Sequence, residues 1–109
     1  MSSEPAKIIL DDAKKIIKKL DFITLKNKSI LITGANGLIG SNLSACLAEL
    51  SETSNCPKKT VFLCHSTSNV FSEIYTFNGS SVVYGDLSGD LKFLDELGKF
   101  DYIIHAAGY

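Results

Sequence analysis

Short apolar runs alternate along the chain with amphipathic stretches, and that alternation predicts the elements. Residues 1–6 read as a frayed terminus. From Ala6 or Lys7 to about Leu20, Ile9, Ala13, Ile16, Ile17 and Leu20 fall on one helical face. Asp11, Asp12, Lys14, Lys15, Lys18 and Lys19 mostly cover the other. A connector follows at 21–28, with a turn at Lys26-Asn27-Lys28. Ile30-Leu31-Ile32 predicts a buried strand, and Leu38, Ile39, Leu43, Leu47 and Leu50 predict a helix ending near Ser51. The polar segment Ser51 to Lys59, with Pro57, is a loop. A second strand is expected at Val61 to His65, a short helix within Asn69 to Phe77, and a turn at Asn78-Gly79. Ser81 to Gly85 reads as the third strand, 89–98 as a helix stopped by Gly98, and Tyr102 to His105 as the fourth strand.

Strands separated by helices imply an α/β fold with a parallel sheet and right-handed crossovers. The expected arrangement is a partial Rossmann-type sheet of strand order 3-2-1-4 with an extra N-terminal helix. Residues 1–28 would be the helix and connector, and 29–109 the N-terminal half of that Rossmann-type domain. The loops after all four strands would gather at the crevice between strands 1 and 4. The turn after strand 1, Gly34 to Gly40, would then neighbour His65-Ser66, Asp86-Leu87 and Ala106-Ala107-Gly108.

Composition changes this picture little. A chain of 109 residues, 45% hydrophobic and 21% charged, is enough for one small globular domain. A net charge of −1 gives no general attraction to nucleic acid or to an anionic membrane. The N-terminal helix lacks the bulky aromatics of a membrane-surface helix, so packing on the domain or on a partner subunit is its expected role. Cys46, Cys56 and Cys64 form no CxxC pair, and the first residues lack the basic and apolar regions of a signal peptide. A reducing, cytoplasmic setting is expected.

The candidate chemistry lies in Thr33-Gly34-Ala35-Asn36-Gly37-Leu38-Ile39-Gly40. Strand, glycine-rich turn and helix in that order suit a dinucleotide pyrophosphate. Gly34 permits a tight turn, Gly37 lets phosphate approach the backbone, and Gly40 lets the first helical turn press against the strand. N–H groups near Leu38 and Ile39 would face the anion.

The same residues resemble the TGxxGxxG fingerprint of the short-chain dehydrogenase/reductase superfamily. Gly37-Leu38-Ile39-Gly40 is similar to the form found in its extended branch of nucleotide-sugar epimerases, dehydratases and decarboxylases. Asp86-Leu87 resembles that family's adenine-contacting pair. Asp101-Tyr102-Ile103-Ile104-His105-Ala106-Ala107-Gly108 resembles its D-x-[VI]-[IV]-H-x-A-G segment. The resemblance spans about 28–109. It implies that Gly34, Asn36, Gly37, Leu38, Ile39 and Gly40 hold the pyrophosphate side of the cofactor. Asp86 would accept from the adenine amino group, with Leu87 against the ring. Ala106, Ala107 and Gly108 would line the ribose and pyrophosphate. Plain structural roles stay open: a turn cap for Asp86, tight packing for the Ala-Ala-Gly run, and an ordinary strand-end histidine for His105.

Two departures bear on function. NAD-preferring folds carry an acid at the end of strand 2 to bind the ribose diol. Here that place falls to His65, with Ser66, Thr67 and Ser68 following, and neither an acid nor an arginine stands there. The cofactor is thus NAD or NADP, the family branch favouring the first and the missing acid tilting towards the second. No metal site is expected from Cys64 and His65, which would point to opposite faces. The family's catalytic Ser or Thr and its Tyr-x-x-x-Lys pair belong to strand 5 and the helix after it, whereas this sequence ends at Tyr109, and Tyr75, Tyr84 and Tyr102 have no lysine four residues on. The expected identity is a fragment, inactive alone, of an NAD(P)-dependent enzyme that moves hydride between cofactor and a nucleotide sugar. The alternatives are an NADP-dependent ketone reductase of the same branch and a non-catalytic dinucleotide-binding module. The expected partners are the cofactor and, in a full-length parent, the sugar nucleotide. A bare edge on strand 4 predicts a homo-oligomer or edge-to-edge association.

Overall fold

The computed structural model describes residues 4–19, 25–54, 56–66, 70–85 and 98–106. The elements run α1 (Glu4–Lys19), β1 (Ser29–Thr33), α2 (Leu38–Leu50), β2 (Lys59–Cys64), α3 (Ser72–Tyr75), β3 (Ser80–Tyr84) and β4 (Tyr102–His105). The four strands form one parallel sheet in the order β3-β2-β1-β4. This is the α/β arrangement of a partial Rossmann fold preceded by a helix, as the alternation of patterns predicts. The expected helix at 89–98 lies outside the described residues except for Gly98, whose φ is +90°.

The two central strands are buried on both faces, which is why their sequences are unbroken apolar runs rather than alternating ones. Ile30, Ile32, Phe62 and Cys64 face one way and join Ala6, Ala13, Ala45, Leu47, Leu50, Ile74 and Tyr75 in the main core. Leu31, Val61 and Leu63 face the other way and form a second cluster with Val83 and Phe100. The register places Ile32 beside Phe62 on one side and beside Ile104 on the other.

Helix faces depart from the sequence expectation. On α1, Ala6 and Ala13 are fully buried, with Ile9 and Leu10 partly buried, whereas Ile16 is exposed. On α2 the buried face is Gly40, Ser41, Ser44, Ala45, Leu47, Ala48 and Leu50. Leu38 and Ile39, expected to open the apolar stripe, are 87% and 67% exposed. Small residues make up much of the buried face of both helices, which pack on each other. The short helix expected within 69–77 is a single turn at 72–75. The turns behave as read, with Asn27 at φ +61° and Gly79 at φ +87°.

Candidate functional site

The C-terminal ends of the four parallel strands lie along one rim, and hydrogen bonds tie the segments leaving them. Ala35 N–H donates to the Leu63 carbonyl (3.1 Å), Gly85 N–H to the Cys64 carbonyl (3.1 Å), and Ala106 N–H to the Thr33 carbonyl (3.0 Å). The Asn36 side-chain amide donates to the Ser66 carbonyl at 2.9 Å, joining the glycine turn to the loop after β2. Gly34, Asn36, Gly37, Leu38, Ile39, Gly40, His65, Ser66 and Ala106 are thereby gathered at this rim. Asp86, Leu87, Ala107 and Gly108 lie outside the described residues.

The glycines differ in what they do. Gly34 has φ +64°, a left-handed conformation that a side chain disfavours. A Cβ on Gly40 would collide with the Gly34 carbonyl oxygen and lie 2.9 Å from Ala35 Cα. Gly40 thus presses the first turn of α2 onto the glycine turn itself, not onto the strand as expected. Gly37 is less constrained inside the protein: its φ is −79° and an added Cβ would lie 3.4 Å from the Gly34 carbonyl oxygen. The space over Gly37 opens outward, where a ligand would come.

Gly37 is also the N-cap of α2, and no side chain caps that end. The first turn carries no acidic residue that would compete with an anion. The helix therefore offers its first N–H groups and the positive end of its dipole towards the rim, flanked by the exposed Leu38 and Ile39. A dinucleotide pyrophosphate fits this arrangement, because backbone approach, anion charge and helix terminus coincide. Beside it lies a cleft of about 340 Å³ between Pro5 and Ile9 of α1, Asn36, Gly37 and Leu38, and Phe71. The N-terminal helix thus reaches the flank of the glycine turn, which periodicity alone does not reveal.

At the end of β2, Cys64 is fully buried and His65 exposed, opposite faces as expected of neighbouring strand residues. Burial pushes the Cys64 thiol up to about 11, against a smaller lowering by the Asn36 backbone N–H. Neutral at physiological pH, this thiol is a packing group and not a nucleophile. Among the described residues no cluster of three His, Cys, Asp or Glu could hold a metal ion. Among them, too, no helix is long and apolar enough to cross a membrane.

Strand β4 is fastened to β1 at both ends. At the rim, Thr33 Oγ1 and His105 Nδ1 share a hydrogen bond of 2.6 Å, which turns His105 towards the sheet. At the foot, the Ser29 N–H and hydroxyl donate to Asp101 Oδ2 at 2.8 and 3.1 Å. Sequence reasoning took Asp101 only as part of a motif and left His105 open as an ordinary strand-end histidine, and the structure gives each a partner on β1. It missed Tyr75 and Ser44 entirely, both of which bond the glycine turn from below.

Comparison with curated proteins and with solved structures finds no match. The NAD dependent epimerase/dehydratase family matches residues 30–109, well over half of the chain. That span begins inside β1 and takes in the glycine turn, the end of β2 and β4. The chain belongs to the NAD dependent epimerase/dehydratase family.

Proposed function

We propose that residues 29–109 bind NAD or NADP at the rim of β1, β2 and β4, and that 1–28 are an appendage flanking that site. The observation that carries this reading is the uncapped start of α2, held against the Gly34 carbonyl by a glycine that admits no side chain. Gly34, Asn36, Gly37, Leu38, Ile39 and Gly40 would take the pyrophosphate side, and His65 and Ser66 the adenosine ribose. Ala106 to Gly108 would line the path onward, and Asp86 and Leu87 would receive the adenine. The bound dinucleotide would supply hydride chemistry on a nucleotide-activated sugar. The protein's own residues would bind, orient and shield that cofactor. No Tyr-x-x-x-Lys pair stands in the 109 residues, so the acid/base step would need groups beyond them. A cytoplasmic enzyme assembled from more than one copy is part of the same reading.

A second reading, an NADP-dependent ketone reductase of this branch, draws support from one place. The loop after β2 opens with exposed His65 and Ser66 and carries no carboxylate there to repel a 2′-phosphate.

Calorimetric titration with NAD and NADP separately tests the site and chooses the cofactor. The wild-type chain should bind at least one. Gly37→Val, placed where the protein itself leaves room for a Cβ, should keep its circular dichroism and lose that binding. Undiminished affinity in folded Gly37→Val would remove the pyrophosphate from this turn.

A further inference from the structure

The glycine turn rests on three side chains that lie outside the glycine fingerprint. Tyr75 ends α3 and is almost fully buried. Its ring stands edge-on to Phe62 of β2, with centroids 5.0 Å apart and planes at 90°. That packing aims the hydroxyl at the turn, where it donates to the Ala35 carbonyl oxygen at 2.7 Å. Ser44, fully buried in α2, donates to the same oxygen at 3.2 Å. The other end of the same peptide unit is held as well. The Asn36 N–H meets the buried Cys64 thiol at the end of β2. One peptide plane, Ala35–Asn36, is therefore clamped by α2, α3 and β2 together.

That plane lies between the left-handed Gly34 and the N-cap Gly37, so its orientation sets how the chain enters α2. A rotation of the plane would redirect the N–H groups that follow. In water-exposed turns such rotations are easy, whereas here each would strand a buried carbonyl and a buried phenol without partners. Burial pushes the Tyr75 phenol up to about 12, so it remains a protonated donor across the physiological range.

We propose that Tyr75, together with Ser44, is a positioning residue for dinucleotide binding, locking the Ala35–Asn36 peptide so that the start of α2 meets the pyrophosphate already ordered. The proposal rests on the reading of the glycine turn as the pyrophosphate site. Its physical gain is preorganisation, since donors fixed beforehand incur no ordering cost when the anion arrives. Tyr75 acts only through the turn.

The test uses the full chain and two readouts. Amide hydrogen exchange of Ala35, Asn36 and Gly37 is followed without cofactor, and NAD and NADP affinities are measured by calorimetry at a temperature where each variant is folded. Tyr75→Phe, which keeps the ring and removes the donor, should speed exchange at these amides and weaken binding about tenfold, the loss expected for one buried hydrogen bond. Ser44→Ala should act in the same direction with a smaller loss, and it carries the test alone if Tyr75→Phe does not fold. Unchanged exchange overturns the clamp. Faster exchange with unchanged affinity in a folded variant overturns the positioning role. A wild-type chain that binds neither dinucleotide overturns the pyrophosphate reading and the positioning role with it, while the exchange data still judge the clamp.

Discussion

Asp101 stands exposed just before β4, yet it holds the foot of β1 through the Ser29 N–H and hydroxyl. Its own N–H donates back to the Ser29 carbonyl at 2.9 Å. The Ser29 backbone N–H, then the Ser29 hydroxyl, hold the Asp101 carboxyl below its usual value, with smaller help from Lys28 and Lys58. A carboxylate lowered in the folded state stabilises fully above its unfolded value, near 4. That contribution is lost as pH falls through the lower folded value. Urea midpoints measured from about pH 7 down to about pH 2 should therefore fall at the acid end, and less so in Asp101→Asn. Parallel curves for the two proteins would remove Asp101 from the acid response. The contrast between Gly40 and Tyr75 shows how much of the site the sequence carries at this scale. Gly40 is legible because its partner, the Gly34 carbonyl, is six residues away within one local motif. Tyr75 is not, because its partner at Ala35 lies forty residues back, brought near only when α3 docks on the sheet. Periodicity carries no information about such a meeting.

Both long helices lie within a few residues of the spans their spacing predicts, and their expected faces hold in part: Ala13, Leu47 and Leu50 are buried, whereas Ile16, Leu38 and Ile39 are exposed. Spacing identifies an apolar arc, but it weights large side chains and so draws the arc through Ile16, Leu38 and Ile39. The packed face runs through Ala6 and Ala13 on α1, and through Gly40, Ser44, Ala45, Leu47, Ala48 and Leu50 on α2. The extra exposure of Leu38 and Ile39 then makes sense at the functional rim, where a ligand and not a neighbouring helix is the expected partner. This assigns different costs to two substitutions on α1. Ala13→Leu forces a larger group into a full contact and should cost about 1–3 kcal/mol in urea unfolding. Ile16→Ser, on the exposed side, should stay within about 0.5 kcal/mol. A reversal of that order would put Ile16 rather than Ala13 in the packed contact and undo the observed packing.

At the scale of the molecule, the sheet order was legible because alternating strands and helices leave few right-handed parallel topologies. The state of its edges was legible only as an expectation. Among the described residues β4 pairs with β1 alone, which places it at one end of the sheet. Ile103 is 65% exposed and Tyr102 is also exposed, so this end presents apolar side chains along with its backbone groups. Such an edge carries few of the devices that keep strands apart: none of Tyr102, Ile103, Ile104 and His105 is a lysine or a proline. A net charge of −1 adds little repulsion between copies. The occupant expected here is a second copy, adding its own β4 across the edge. Sedimentation velocity should accordingly show association that grows with protein concentration. Ile103→Lys, which sets a charge on the exposed side without touching the bonds at Ser29 or Thr33, should shift the distribution towards monomer. A wild-type chain that stays monomeric at every concentration would mean that the β4 edge does not recruit another copy.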